Sequence, residues 1–294
     1  MTLEARLGHL DQVALASDRP AIDVRVRRGI ELRIHRRRGL DVGAAWFRGT
    51  PLAWIGPAGE GGTEAADWRS AWGGGLVTTC GLDNVGAPSE GVGQHGTYTF
   101  LEAKDVWIER SSEEVVVRAT IEDPRGLQVQ RTIRSTAGAG RLELTDRTTN
   151  VGAESLEAPL LYHVNLGWPL WDEGARVESD ADQVRPRDED AAGADWASAP
   201  PEPVGEPERV WEHVGATGAS VVNQRLGLGV EVSSNLDRLW QWIDQAPGVY
   251  ALALEPANCS VLGRAHDRAE DRLPFLEPGA ERTTTIAVTA EEVT

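Results

Sequence analysis

The sequence predicts an all-β chain built mostly from antiparallel strands, with few short helices. Short β-branched runs bounded by Gly, Pro, Asp and Asn recur throughout, whereas few windows carry a helical period. The runs Val115–Ile121, Gln128–Arg134 and Leu142–Thr148 follow one another about a dozen residues apart, the spacing of an antiparallel meander or sandwich. The glycine-crowded stretch from Trp72 to Gly96 argues the same way, because each interior glycine costs a helix roughly 1 kcal/mol against alanine.

In chain order, the first clear strands are Ala21 to Val26 and Ile30 to His35, joined by Arg27-Arg28-Gly29 as a tight turn. Gly39 and Gly49 suit hairpin corners that need positive φ. Trp72 to Gly96 reads as a loop-rich lining where backbone approaches a ligand closely. It is not a phosphate loop, since neither GxxxxGK[ST] nor GxGxxG sits between a strand and a helix. Strands resume at Asp105 to Glu109, Glu114 to Ile121, Leu127 to Arg134, Arg141 to Asn150 and Leu160 to Trp168. Residues 172–209 are rich in Asp, Glu, Pro, Ala and Gly, and Pro186, Pro200, Pro201, Pro203 and Pro207 disfavour regular ladders there. This stretch is expected to be a surface excursion and not a second domain, long enough to cover a site. Strands return at Ser220 to Asn223, Gly227 to Ser233, Val249 to Leu254 and Thr283 to Thr289. The one helical candidate, Leu236 to Asp244, holds Trp240 and Trp242.

Composition bounds the function. A net charge of −17 makes nucleic acid an improbable partner, because phosphate binding wants a basic face. No apolar run approaches the roughly 18 to 20 residues that cross a bilayer, and the N-terminus lacks an apolar signal core, so a cytoplasmic protein with no membrane partner is expected. Cys80 and Cys259 are expected to be reduced thiols. Lys104 is the single lysine and lies in a polar stretch, which leaves little room for Schiff-base chemistry.

The chemistry gathers in three places. In Leu161-Tyr162-His163-Val164-Asn165-Leu166, strand alternation sends Tyr162, Val164 and Leu166 to one face and Leu161, His163 and Asn165 to the other. A histidine on a covered face needs a partner, and imidazole is a ready proton shuttle near neutral pH. Glu255 follows Tyr250-Ala251-Leu252-Ala253-Leu254, where a carboxylate is costly unless hydrogen-bonded or used. His95 lies between Gln94 and Gly96. Any one of them alone is more often structural than catalytic. Together they are expected to meet on one concave sheet surface, around a pocket the size of a single hexose ring.

Opening a cyclic sugar needs such a set: a base takes the proton of the anomeric hydroxyl while an acid protonates the ring oxygen. Glu255 fits the base and His163 the acid, their roles exchanging on re-closure, with His95 holding the ring oxygen or sharing proton donation. Candidate substrate-binding residues are Asp83, Asn84, Gln94, Asn165, Trp242, Asn258, Arg38 and Arg264. For Asp83 and Asn84 an Asx-turn competes; for Trp240 and Trp242 the core competes with stacking on a pyranose; for Arg38 and Arg264 an ion pair competes. His266 reads as exposed, and His9, His35 and His213 lack supporting context. The rival use of the same set is metal binding, with His95, His163 and Glu255 ligating zinc or iron as two imidazoles and a carboxylate, but no HxH or HExxH spacing occurs. No GxSxG elbow marks a hydrolase. No cofactor and no metal is expected, and the partner is a small-molecule carbohydrate. The chain is expected to be a monomer or homodimer.

The residues also resemble the aldose 1-epimerase (galactose mutarotase) superfamily, in its bacterial branch of unassigned function. The likeness covers nearly the whole chain. It is carried by Arg38-Gly39-Leu40-Asp41, by Gly74-Gly75-Leu76-Val77-Thr78-Thr79-Cys80-Gly81-Leu82-Asp83-Asn84, by Gln94-His95-Gly96, by Tyr162-His163-Val164-Asn165-Leu166-Gly167, and by Leu254-Glu255-Pro256-Ala257-Asn258. The resemblance implies a β-supersandwich spanning residues 1–294 as one domain, with His95, His163 and Glu255 as the catalytic set. Characterised mutarotases carry Asn-Arg where this chain has Asp83-Asn84, and Thr-Gln where it has Pro256-Ala257, which leaves the sugar open. The expected function is anomer interconversion; the alternatives are a sugar-binding or regulatory module without turnover, and a metal-dependent isomerase or lyase on a modified sugar.

Overall fold

The computed structural model describes residues 13–14, 21–56, 59–60, 72–202 and 205–294. His9 and Pro203 lie outside the described residues. Two large antiparallel sheets dominate. The eight-stranded sheet runs in the spatial order Ala175–Ser179, Gly218–Asn223, Leu228–Ser234, Glu281–Glu292, Arg141–Asn150, Leu127–Thr136, Glu114–Glu122, Lys104–Arg110. The six-stranded sheet runs Gln183–Pro186, Arg209–Val214, Arg238–Asp244, Ala251–Ala257, Leu160–Leu166, Thr78–Gly81. A five-stranded sheet from the N-terminal region, ending in Asp41–Phe47 and Thr50–Pro51, completes the β-sandwich. Among the described residues, no helix is long and apolar enough to cross a membrane.

Alternation builds the core between these sheets. Leu127, Val129 and Ile133 of one strand and Leu142 and Leu144 of the next point inward from the large sheet. Tyr162, Val164, Leu166, Leu239, Ile243, Leu252 and Leu254 meet them from the six-stranded sheet. The opposite face of that sheet carries a second apolar group, including Leu161, Val210, Trp240, Trp242, Ala251, Ala253 and Ala257. The Leu160–Leu166 and Ala251–Ala257 strands are thus buried on both faces, as central strands covered on each side are.

Three expectations about elements change. Leu236 to Asp244 is not helical: Arg238–Asp244 is a strand in the middle of the six-stranded sheet, with Leu239 and Ile243 toward the core and Trp240 and Trp242 on the other face. Period two was present in it, but tryptophans on one phase and aliphatic residues on the other left no polar face to reveal it. Among the described residues the α-helix is Arg264–Ala269. The excursion at 172–209 is not free of ladders. Ala175–Ser179 forms an edge of the large sheet and Gln183–Pro186 an edge of the six-stranded one, where Pro186 is tolerated because it ends an edge strand. Its later part is fastened down by Gln241 Nε2 donating to the Trp196 carbonyl (2.6 Å) and by the Tyr250 hydroxyl on the Pro200 carbonyl.

Candidate active site

The strand phase puts His163 and Glu255 on the same face, because Val164 pairs with Leu254 across the Leu160–Leu166 and Ala251–Ala257 strands. His163 and Glu255 are therefore cross-strand neighbours, and Nε2 of His163 lies 2.8 Å from Oε1 of Glu255. Both side chains are buried, at 2% and 3% exposure. His163 Nδ1 is also buried and has no hydrogen-bond partner among the described residues. A buried polar atom left in that state is unusual, and it sits at the centre of the candidate chemistry.

His95 reaches the same place from the glycine-rich segment. Its backbone is left-handed (φ 58°), and it is gripped from both sides, the Gly81 N–H donating to its carbonyl and its own N–H donating to the Gly86 carbonyl, each at 2.9 Å. The turn needs glycine at its next residue: Gly96 has φ 70°, and a Cβ there would come within 2.5 Å of the Asn84 carbonyl oxygen. The His95 and His163 rings stand 6.0 Å apart between centroids. Burial first, and the neighbouring His163 second, push the His95 imidazole pKa down to about 3. It is neutral near pH 7. The Gly86 N–H donates to Nδ1 (3.4 Å), so the proton resides on Nε2 and His95 is a hydrogen-bond donor through that atom.

These three residues line a cavity of about 760 Å³. That is more than one hexose ring requires, against the expectation of a single-ring pocket. Small residues make the room: Ala251, Ala253 and Ala257 occupy the cavity-side phase around Glu255. Indoles wall it. Trp72 and Trp242 pack edge-on against the His163 ring at centroid distances of 4.8 and 5.5 Å, and Trp54 lies against both of those tryptophans. Gln94 and Trp242 line the cavity as expected of substrate-binding candidates.

Six other candidates do not line it, and in each case other groups take up the side chain. Asn84 is buried, its amide donating to the Ala87 and Gly93 carbonyls (2.9 Å each) and its oxygen accepting the Arg264 N–H (2.9 Å). Asp83 accepts the Thr97 N–H and hydroxyl at 2.9 and 3.1 Å. Both hold the loop that presents His95. Asn258 closes the Leu160 N–H (2.7 Å). Asn165 shares the face of His163 but donates to the Gly75 and His163 carbonyls, away from the cavity. Arg38 is buried beside Thr99 (3.4 Å), and Arg264 pairs with Glu157 and with Glu90. His213 is buried against Gln241 (2.7 Å), His35 lies 3.8 Å from Glu60, and His266 is half-buried.

The sequence reading missed Trp54, Trp72, Arg187, Glu208 and Asp244, all of which line the cavity. Arg187 and Glu208 come from the excursion, where a run of charges looks solvated, and only the fold turns two of them inward. Among the described residues, no group of three His, Cys, Asp or Glu side chains is placed to hold a metal ion.

Comparison with known proteins identifies the architecture. A family model described as a domain of unknown function, DUF4432, matches residues 17–290. The chain belongs to the DUF4432 family. No curated protein matches it. Among solved structures, this DUF4432 chain is similar to a candidate aldose 1-epimerase from Klebsiella pneumoniae, with a TM-score of 0.84 at 20% identity over 93% of this chain and 79% of that one. A candidate mutarotase from Salmonella typhimurium gives 0.70 at 11% identity, covering 99% and 100%. A galactose mutarotase-like protein from Clostridium acetobutylicum gives 0.66 at 13%, covering 96% and 98%. The DUF4432 chain has the galactose mutarotase-like β-sandwich fold.

Proposed function

We propose that this protein interconverts the anomers of an aldose by acid–base ring opening. The observation that carries the reading is the 2.8 Å contact between His163 and Glu255 at the wall of an indole-lined cavity, with the His95 ring 6.0 Å from that of His163. The fold, shared with candidate aldose 1-epimerases and mutarotase-like proteins, supports the same reading.

In the proposed reaction Glu255 removes the proton of the C1 hydroxyl. The C1–O5 bond breaks, its electron pair going to O5, and the His163 imidazolium protonates that oxygen to give the open-chain aldehyde. Rotation about C1–C2 turns the carbonyl over. His163 then takes the proton back from O5 as O5 attacks C1, and Glu255 returns its proton to the new C1 hydroxyl. Atoms and charge balance with no covalent enzyme intermediate and no cofactor. Neutral His95 assists as a donor to a substrate oxygen, not as the acid, because its pKa of about 3 keeps it deprotonated at working pH. The tryptophans exclude water and offer apolar faces for the C–H side of a sugar.

Exchange NMR at the anomeric proton, run over a panel of reducing sugars, tests this. Accelerated exchange for at least one sugar, lost in Glu255→Gln and in His163→Ala, is the expected result. Undiminished exchange in either variant, or sugar binding with no acceleration across the panel, overturns it; the latter outcome describes a binding module.

A further inference from the structure

The cavity is longer than the chemistry needs. Along the Ala251–Ala257 strand, Glu255 faces Trp240 while Ala251 faces Asp244, so Asp244 lies four residues further along the sheet, about 13 Å at an ordinary strand rise. Val210 pairs with Trp242 and Arg209 with Ile243, which brings Glu208 level with Asp244 at that same far end. One pyranose ring engaged by His163 and Glu255 cannot span this run.

The far end is polar and built. Arg187 lies 3.6 Å from Glu208 and 2.6 Å from Asp188. The Trp242 indole N–H donates to Glu208 (3.0 Å), and Asp244 accepts the Ala246 N–H (2.9 Å). Glu208 and Asp244 both line this end of the cavity, and carboxylate oxygens are strong acceptors for sugar hydroxyls. Between the two ends stands the apolar wall of Trp242, with Val210 and Val249 beside it. Charge selects the ligand further. Glu208, Asp244 and Glu255 face the cavity, and its arginine is committed to two carboxylates, which disfavours an anionic sugar.

Resting on the anomer-exchange reading, we infer that the cavity takes a neutral reducing disaccharide. The reducing ring lies at His163 and Glu255, and the second ring lies along Trp242 against Glu208 and Asp244. Glu208, delivered by the returning end of the excursion, is then a specificity-determining residue.

Saturation-transfer NMR on the full chain with lactose, maltose, cellobiose and melibiose, beside glucose and galactose, tests this without requiring turnover. At least one disaccharide is expected to receive saturation on both rings and to bind about tenfold tighter than its reducing monosaccharide. Glu208→Ala removes most of that advantage, and Glu208→Gln restores it, since the amide oxygen still accepts from Trp242 and a hydroxyl. Saturation confined to the reducing ring, no binding by any disaccharide, or equal weakening of both sugar sizes in Glu208→Ala overturns the inference. The wild-type saturation pattern decides the matter even if the variant fails to fold. Anomeric exchange on the same samples separates the two readings. Two-ring contact without exchange sinks the proposed reaction alone, whereas monosaccharide exchange without two-ring contact sinks the second-ring site alone.

Discussion

Tyr162 and His163 are neighbours on one strand and face opposite ways into two buried polar groups that differ in how completely they are satisfied. On the Tyr162 side, Arg131 donates to both oxygens of Asp146 (2.8 and 2.6 Å), to Asp41 (3.0 Å) and to the Gly39 carbonyl (2.8 Å). Tyr98 and Tyr162 donate to Asp146 at 3.1 and 2.8 Å, and Thr79 and Thr99 donate to Asp41 at 2.6 and 2.8 Å. Burial pushes the Tyr162 phenol well above its ordinary pKa, which keeps it a donor. On the His163 side, one carboxylate meets one imidazole and Nδ1 has no partner. The sealed group locks sheets together. The incomplete one faces a cavity, and its spare bonding capacity is what the proposed reaction would use.

The comparison breaks most sharply at Glu255. In Glu255→Gln the amide oxygen still accepts the His163 N–H, so anomeric exchange is expected to fall by about 10²–10⁴-fold while thermal unfolding hardly moves. If exchange survives and the melting temperature collapses, the two groups are of the same structural kind. Arg131→Met is the mirror experiment: it strands two buried carboxylates and is expected to cost about 3–5 kcal/mol in urea unfolding, and a loss under 1 kcal/mol would remove the network from its structural role. Asn84→Ala, which orphans the Ala87 and Gly93 carbonyls and the Arg264 N–H, is expected to cost about 1–3 kcal/mol. Its exchange rate should fall too as the His95 loop loosens; an unchanged rate would cut that loop out of the site. Near neutral pH the smallest effect is electrostatic, and it grows only as the solution is acidified. His95 has its pKa lowered from 6.5 to about 3, so the unfolded chain binds a proton there before the folded one does. Its contribution to stability is complete above pH 6.5 and is lost as pH falls from 6.5 toward 3. Urea unfolding measured across that window should show a shallower acid slope in His95→Gln than in the parent.

What was legible in the sequence follows period two. The phase of His163 against Tyr162 is visible as alternation, and a carboxylate at position 255 among Ala and Leu is visible as an anomaly, so the pair emerges from pattern alone. Arg131 and Asp146 carried the same signal, each lying in the apolar phase of its strand, between Val129 and Ile133 and after Leu142 and Leu144. The sign of a buried polar residue was therefore on the page, but two adjacent strands had to be aligned before it read as a pair. Glu208 and Arg187 gave no such sign. Asp83, Asn84 and Asn258 misled for a different reason: amides and carboxylates that close loops have the same composition as those that bind hydroxyls, and only their partners distinguish them. The strand Arg238–Asp244 was misread because two tryptophans and two aliphatic residues alternate there, leaving no polar phase.

Trp54, Trp72 and Trp242 share the rim of the cavity with His163. Indole emission follows the polarity and the quenchers around it, and a protonatable imidazole within ring contact is one such quencher. Any occupant that displaces solvent from these rings should change the colour and yield of the ultraviolet emission, so the molecule carries a built-in dye at the rim of its cavity.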